Sequence, residues 1–348
     1  MRTKIFAFAA IAVLLTNIAV FAKSDTRART AKQLQTAKLV AMLPASDGVV
    51  AFDAKRFFND ALPKVLASNQ PMLAEVTAKL IEMEGRTGID LRKFEQVAVG
   101  IAFRQVSEKE IDYEPVSIAS GDITGGAIAA VSRLAANGTY RTETFAGRTI
   151  YIFSSKEAFS KTTSGSKVAG MMNDAIDGLT KDVAVTAMDR QTVVLGSLAR
   201  VKQTLEGGSK VGADIIALLN AKDAAVLSFA ARSPAGGLSK MLPLDNDDFG
   251  ANIDAIKYLS GSVEVNALGT SLQVLAKTQK AEQAQSLKET IEGLQMLGGA
   301  IFGGSKRPDQ QVYGRMIKAA KVTQHGPGIT LDLVVPQTDI DALIGGMK

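Results

Sequence analysis

The stretch KVTQHGPGITLDLVV, Lys321 to Val335, decides the fold class because it contains both strands and the turn of a hairpin. Glycine supplies a positive φ and proline fixes φ at about −65°, so His-Gly-Pro-Gly at its centre predicts a tight chain reversal. The flanking runs KVTQ and ITLDLVV are typical of strands. The stretch therefore predicts two antiparallel strands and, through them, an antiparallel sheet.

Further strand-like runs occur in pairs along the chain. EQVAVGIAF and YEPVSIASGD predict two strands joined by the charged loop RQVSEKEID, residues 104–112. TYRTETFAGRTIYIF predicts the clearest hairpin, with its turn at Ala146-Gly147. Two more hairpins are predicted in DVAVTAMDRQTVVLGS, turning at Asp189-Arg190, and in YLSGSVEVNALGTSLQVLAKT, turning at Leu268-Gly269. VVAF and AAVLSFAA are predicted to be single strands.

Segments with helical spacing of apolar residues alternate with these strands. The predicted helices are AKRFFNDALPKVLASNQPMLAEVTAKLIEMEGRTG, broken at its two prolines, GGAIAAVSRLAANG, LARVKQTLEGG, a broken helix over residues 234–256, and TDIDALIGG. The longest, AEQAQSLKETIEGLQMLGGAIF, is predicted to be amphipathic, with Leu287, Ile291, Leu294 and Leu297 near one face. The polar stretch SSKEAFSKTTSGSK is predicted to be a mobile loop.

The order strand, helix, hairpin, helix, hairpin occurs twice in the chain. Val97 corresponds to Val263 and Tyr140 to Lys321, a spacing of roughly 165–180 residues. The sequence therefore predicts an α+β fold of antiparallel sheets with helices packed on one face, built from a duplicated module. We predict a first α+β module over residues 39–210 and a second over residues 211–348.

The N-terminus has the organisation of an export signal. Arg2 and Lys4 precede an apolar run, and Val20-Phe21-Ala22 places small residues at positions −3 and −1 of a cleavage site. We predict a signal peptide over residues 1–22, cleavage after Ala22, and a periplasmic or secreted protein. An uncleaved anchor is the alternative interpretation, but the apolar run is shorter than the about 20 residues that span a bilayer.

The net charge of +5 is concentrated near the N-terminus. Removal of residues 1–22 leaves +3, and Lys23 to Lys38, with five basic residues and one acidic residue, carries +4 of this. The remaining body is therefore at −1, which excludes the basic face that nucleic-acid binding needs. We interpret residues 23–38 as a basic linker, which can make transient contact with anionic material of the cell envelope.

The composition leaves little chemistry for catalysis, since the chain has no cysteine and a single histidine. A general acid–base histidine needs an orienting partner and a nucleophile in reach. His325 lies in the predicted turn, with Asp332 several residues along the opposite strand. We interpret His325 as a turn residue, and we predict no catalytic, cofactor-binding or metal-binding residue.

Three short patterns imitate known sites, and each is incomplete. Ser164 and Lys167 have the Ser-x-x-Lys spacing of penicillin-recognising enzymes, but the accompanying motifs do not follow in order. Gly298–Lys306 resembles a phosphate loop with serine and lysine exchanged, after a helix instead of a strand. Asp245–Gly250 is acidic but lacks the later ligands of a calcium loop. The eleven methionines, Met296 among them, are interpreted as core residues.

Two motifs carry a resemblance to other proteins. LPASDGVVAFDAKRFF, Leu43 to Phe58, resembles the opening of a loose group of bacterial exported α+β-repeat proteins of unknown function, in which the motif begins Leu-Pro-Ala-Asp. Ser46 stands here in place of the aspartate. TVVLGSLARVKQTLE, Thr192 to Glu206, is similar to the strand and helix that close such modules. The resemblance implies export and α+β repeats, and it implies no catalytic residue.

These observations favour binding over catalysis. We expect an exported, non-enzymatic protein without a cofactor that binds a protein partner or a small apolar ligand. A structural or assembly component of the envelope is the first alternative. A Ser/Lys hydrolase centred on Ser164 and Lys167 is the second.

Overall fold

The computed structural model describes residues 31–87, 90–107, 110–122, 140–154, 182–219, 222–235, 237–239 and 248–345. Within these ranges, twelve strands form one continuous sheet in which every neighbouring pair is antiparallel. The strands are β1 (Gly48–Asp53), β2 (Phe94–Ser107), β3 (Glu110–Gly121), β4 (Tyr140–Phe145), β5 (Arg148–Ser154), β6 (Asp182–Ala187), β7 (Thr192–Gly196), β8 (Ala225–Arg232), β9 (Ile256–Asn266), β10 (Gly269–Thr278), β11 (Lys321–His325) and β12 (Gly328–Pro336). The order across the sheet is β11-β12-β10-β9-β8-β1-β2-β3-β7-β6-β5-β4. The predicted α+β class is thus confirmed.

Helices occupy the segments between strands. They are α1 (Ala31–Met42), α2 (Ala54–Arg56), α3 (Leu62–Val65), α4 (Gln70–Thr87), α5 (Leu198–Glu206), α6 (Ala213–Leu218), α7 (Asp248–Asp254), α8 (Ala281–Gly303), α9 (Pro308–Ala319) and α10 (Gln337–Gly345). A π-helical turn, Phe57–Ala61, joins α2 to α3, and a 3-10 turn, Leu91–Lys93, precedes β2. The predicted helix GGAIAAVSRLAANG and the predicted loop SSKEAFSKTTSGSK lie outside the described residues, apart from Ser154 at the end of β5.

The predicted hairpins are present, and their turns follow local chemistry. Ala146 and Gly147 both have positive φ, 50° and 72°, as a two-residue hairpin turn requires. The turn between β9 and β10 contains Ala267 and Leu268, one residue earlier than predicted, since Gly269 already pairs with Asn266. A side chain at Gly269 would lie 2.3 Å from the Val335 carbonyl oxygen, so glycine is required by this close approach.

The predicted charged loop RQVSEKEID is mostly strand. β2 continues to Ser107 and β3 begins at Glu110, so the hairpin extends well beyond the core. Cross-strand ion pairs compensate for the missing apolar contacts: Arg104 lies 3.1 Å from Asp112 and 3.5 Å from Glu114. The prediction failed because charge was taken as a loop signal, although charged pairs also stabilise strands exposed on both faces.

Alternation along β1 divides the sheet into two faces, which we name face A, bearing Val49 and Ala51, and face B, bearing Val50 and Phe52. On face A, the buried residues of α1, α5 and α6 form one cluster with Val49 and its neighbours on β2, β3 and β7. On face B, α3 and α10 pack against β12, and α8 packs against β10 and β12. Helices therefore cover both faces, and the predicted arrangement of separate sheets with helices on one face is wrong.

The helices lie on face A in one half of the sheet and on face B in the other because the strands of the two halves carry different side chains. Along β8, β9 and β10, face A carries small polar residues: Ser228, Ser260, Ser262 and Ser271. Face B of the same strands carries Leu227, Val263, Leu272 and Ala276. Apolar helix surfaces gain stability only where the sheet offers apolar surface, so the second half of the sheet is covered on face B.

The two halves of the sheet share a strand order. Counted outward from the central β1–β8 pair, one half reads β1-β2-β3-β7-β6 and the other β8-β9-β10-β12-β11. Val97 lies on β2 and Val263 on β9, which hold the same place in the two orders. The predicted match of Tyr140 with Lys321 is wrong: the strand equivalent to β11 is β6, and the hairpin of β4 and β5 extends the first half at its edge.

The interpretation of residues 23–38 as a linker does not hold for its described part, residues 31–38. These residues lie in α1, where Thr36 is buried and donates a hydrogen bond to Gln96. The Lys32 ammonium lies 2.8 Å from the Asp53 carboxylate. It also donates to the Ala225 carbonyl oxygen. Lys32 is thus bound to the folded body.

Among the described helices, none has the length and hydropathy needed to cross a bilayer.

Candidate binding surface

The histidine of the opening hairpin lies where the turn chemistry places it. His325 is exposed and pairs with Gly328 across a two-residue turn in which Gly326 has a φ of 56°. Asp332 lies opposite Lys321 at the other end of the hairpin and accepts a hydrogen bond of 2.9 Å from Gln273. His325 and Asp332 are therefore separated along the strands, as predicted.

Two of the other motif candidates lie wholly or partly outside the described residues. Ser164 and Lys167 lie outside the described residues, as do residues 245–247 of the acidic cluster. Gly298–Lys306 is a helix end followed by a short link to α9, as predicted. Within the described ranges, no group of three or more histidine, aspartate or glutamate side chains is arranged to hold a metal ion.

A cleft of about 460 Å³ lies between α1 and the turn that joins β6 to β7. Gln35, Lys38 and Met42 line one side, and Asp189 and Arg190 line the other. The backbone N–H of Gln191 donates to Asp189 at 2.8 Å, and this hydrogen bond lowers the pKa of the Asp189 carboxyl. The lining of this cleft mixes apolar side chains, Leu39 and Met42, with polar and charged ones, and the cleft is open to solvent, whereas pockets for apolar ligands are lined mainly by apolar side chains and enclose most of the ligand.

Arg200 on α5 connects the two motifs that carry the resemblance. It is 3% exposed, and its guanidinium donates to the Ala45 carbonyl oxygen at 2.9 Å and to Ser46 Oγ at 2.8 Å. Burial lowers the pKa of Arg200, since a charged group is less well solvated there. Its Nε has no hydrogen-bond partner among the described atoms. Nothing in the sequence pointed to this contact, because it joins residues far apart in the chain. It fixes α5 to the segment before β1.

A different kind of surface lies at the end of α8. The first part of this helix packs on face B through its two buried residues, Ala284 and Leu287. From Gly293 to Gly304 the sequence is GLQMLGGAIFGG, which contains no charged residue. We name residues 293–304 the apolar end of α8.

Close helix packing holds the apolar end against α9. A side chain at Gly298 would lie 2.8 Å from Ile317 Cδ1, and one at Gly314 would lie 3.4 Å from the Phe302 backbone. The Gln295 amide donates to the carbonyl oxygens of Ile317 and Ala320, at 3.0 and 2.8 Å, and so satisfies the C-terminus of α9. The two helices therefore form a defined hairpin.

Four large apolar side chains of this segment face solvent. Met296 is 77% exposed, Ile301 70%, Leu297 62% and Leu294 47%. The amphipathic pattern had placed Leu294 and Leu297 on the packed face with Leu287, and had assigned Met296 to the core. These assignments are wrong, because the sheet covers the first half of α8, and among the described elements only α9 packs beside its second half. The signal available in the sequence was eleven consecutive helical residues, 293–303, without a charge.

Basic residues surround this surface. Lys306 and Arg307 follow directly after it, and Lys318 Nζ lies 3.7 Å from the position of a Cβ at Gly303. Arg307 pairs with Asp309 at 2.7 Å. Neither Lys306 nor Lys318 has an ion pair with any described acidic residue. The apolar end thus lies beside uncompensated positive charge.

No protein-family model matches the sequence, and no curated protein matches it. The structure is similar to crystal form I of TP0453, with 9% identity and a TM-score of 0.43, over 89% of this chain and 97% of that one. For crystal form III of TP0453 the identity is 9%, the TM-score 0.46 and the coverage 88% and 97%. The proposals below rest on the geometry of this chain.

Proposed function

We propose that this is an exported, non-enzymatic protein that acts by binding, and that it binds through the apolar end of α8. One observation carries the proposal: Leu294, Met296, Leu297 and Ile301 are exposed together on one ordered helix. Isolated exposed apolar residues are common on soluble proteins, but clusters of them on an ordered surface mark interaction sites. The cost of exposing these four side chains to water is removed when a partner covers them.

An internal ligand site has less support. The cleft beside α1 is open to solvent, and charged side chains stand beside its apolar ones; the Asp189 carboxylate already accepts a hydrogen bond from its own turn. A carrier of an apolar ligand would need an enclosed apolar cavity. The apolar surface of this protein lies outside, on α8, where it can meet a large partner.

Export and duplication belong to the same proposal. The charged start, apolar run and small residues over 1–22 support removal of a signal peptide. The shared strand order of the two halves supports descent from one duplicated module. The helices that follow the last strand of each half depart from this shared pattern, since α5 packs on face A and α10 on face B. The two motifs joined by Arg200 support the resemblance to exported α+β-repeat proteins.

The test measures how much of the full chain stays with the washed envelope fraction of the cells that make it. Wild type is compared with Leu297→Gln/Ile301→Gln, the apolar-end variant, and with Leu268→Gln as the matched control. Leu268 is 86% exposed in the β9–β10 turn, away from α8. We expect wild type and control to be retained and the apolar-end variant to be released. Equal retention of all three, with unchanged melting temperatures, overturns the proposal.

A further inference from the structure

We propose that the partner of the apolar end of α8 is the surface of an anionic lipid bilayer. This inference rests on the proposed function, since it names the partner of the same surface. Three features of the described residues support it: the length of the apolar end, the directions of its side chains and the charge beside it.

The length fits the interfacial region of a bilayer. Its eleven helical residues, 293–303, at 1.5 Å each extend for about 17 Å, whereas the hydrocarbon core is about 30 Å thick. The apolar end is therefore too short to cross a bilayer. It is long enough to place several apolar side chains below the headgroups, as interfacial helices do.

The directions of the side chains favour lipid over a protein groove. Successive residues are rotated by about 100° on a helix, so Met296 points about 160° away from Leu294. Leu294, Leu297 and Ile301 lie within about 60° of one another, and Met296 lies about 100° or more from each of them; all four are exposed. A groove on a protein, or a second copy of this chain, covers one stripe of a helix. Lipid chains surround an inserted helix end and cover apolar groups on all its free sides.

The charge beside the apolar end selects anionic lipid. Between residues 293 and 320 there are four basic residues, Lys306, Arg307, Arg315 and Lys318. Arg307 pairs with Asp309 and Arg315 with Asp339, so Lys306 and Lys318 are the two without a described acidic partner. Basic side chains next to an inserted apolar segment bind anionic headgroups, with about 1 kcal/mol for each. Envelope contact had been expected from the basic tail, but Lys32 of that tail is bound to Asp53. The site of contact therefore moves to α8 and α9.

The absence of tryptophan from the chain gives a direct test. Leu297→Trp introduces a single reporter into the apolar end, and Leu268→Trp introduces the same reporter into an exposed turn. The full chain is mixed with vesicles of phosphatidylcholine, alone or with phosphatidylglycerol. We expect a blue shift and quenching by brominated lipid for Leu297→Trp with the mixed vesicles. Leu268→Trp should show neither effect. The apolar N-terminal run is common to both variants, so a difference between the two reporters does not come from it.

The charges are tested in the Leu297→Trp background. Lys306→Gln and Lys318→Gln should each lower the apparent affinity for mixed vesicles about fivefold, the ratio that corresponds to about 1 kcal/mol. Raising the salt concentration should weaken vesicle binding of the Leu297→Trp chain more than that of the same chain with both Lys306→Gln and Lys318→Gln. Equal binding to neutral and anionic vesicles overturns the assignment to anionic lipid.

The outcomes separate this inference from the proposed function. If the apolar-end variant is released from the envelope but Leu297→Trp gives no shift with any vesicle, the surface binds protein and the lipid assignment is wrong. A shift that depends on protein concentration without vesicles identifies a second copy and also overturns it. If envelope retention does not depend on Leu297 and Ile301, both proposals fail.

Discussion

Arg200 is the residue whose replacement tests most directly how the fold is held together. Its guanidinium is buried and donates to Ser46 Oγ and to the Ala45 carbonyl oxygen, and thereby fixes α5 to the segment that enters β1. Arg200→Met keeps much of the side-chain volume and removes these two hydrogen bonds together with a third, of 2.7 Å, to Gln203 Oε1 on the same helix. Hydrogen bonds to a charged group contribute about 1.5–3 kcal/mol each. Part of this loss is offset because methionine does not have to be desolvated.

We therefore expect Arg200→Met to lower the free energy of unfolding by about 2–4 kcal/mol. Urea denaturation followed by circular dichroism measures this value, and an unchanged m-value shows that the extent of unfolding is the same. A loss below about 0.5 kcal/mol, typical of substitutions at ordinary surface sites, would show that the guanidinium contacts do not stabilise the fold.

A double-mutant cycle separates the Ser46 contact from the loss of packing. Ser46→Ala in wild type should cost about 1.5–3 kcal/mol, because it removes a hydrogen bond to a charged donor. In the Arg200→Met background the same substitution should cost much less, because the hydroxyl has already lost that donor and keeps only its 2.8 Å bond to the Pro44 carbonyl oxygen. Additive effects of the two substitutions would contradict a direct contact.

Three further predictions concern the helical hairpin, α1 and the β6–β7 turn. Gly298→Leu should lower the free energy of unfolding by about 1–3 kcal/mol, because the new side chain meets Ile317. Gly293→Ala has open space around it and should raise the free energy of unfolding by about 0.5–1 kcal/mol. Thermal unfolding of both variants checks these values. Lys32→Ala should raise amide hydrogen exchange across α1, because it removes the ion pair with Asp53; unchanged exchange would show that the helix is held by its apolar contacts alone. The hydrogen bond from Gln191 lowers the folded-state pKa of Asp189, so its contribution to stability is present above the unfolded value of about 3.9 and is lost as the pH falls through the lower folded value. Asp189→Asn should therefore reduce the loss of stability on acidification in this range, and an unaltered pH profile would contradict the assignment.

Hairpins were predictable from sequence because their information is local. Two residues with positive φ at Ala146-Gly147, or Gly-Pro at residues 326–327, define a turn, and alternation on either side defines the strands. The pairing of β1 with β8 was not predictable, since nothing in either strand specifies a partner so distant in sequence. Two separate sheets were expected for this reason.

The candidate surface was missed for a related reason. Helical periodicity identifies the residues that share a face, but it does not reveal where the neighbouring sheet ends. Leu287 and Leu297 are equivalent in the pattern, yet one is 2% exposed and the other 62%. Only the length of α8 relative to the strands beneath it distinguishes them. An uncharged helical segment of this length followed by Lys306 and Arg307 is a signal that could have been used.

The central position of β1 has a consequence for synthesis of the chain. Its partner β8 begins about 170 residues later, a delay of roughly 10–30 s at ordinary translation rates. Until β8 emerges, β1 presents an open edge with valine on both faces, which is a template for aggregation. The first half of the chain should therefore depend on a holding chaperone, and ribosome-stalled chains that end before β8 should aggregate where longer ones remain soluble.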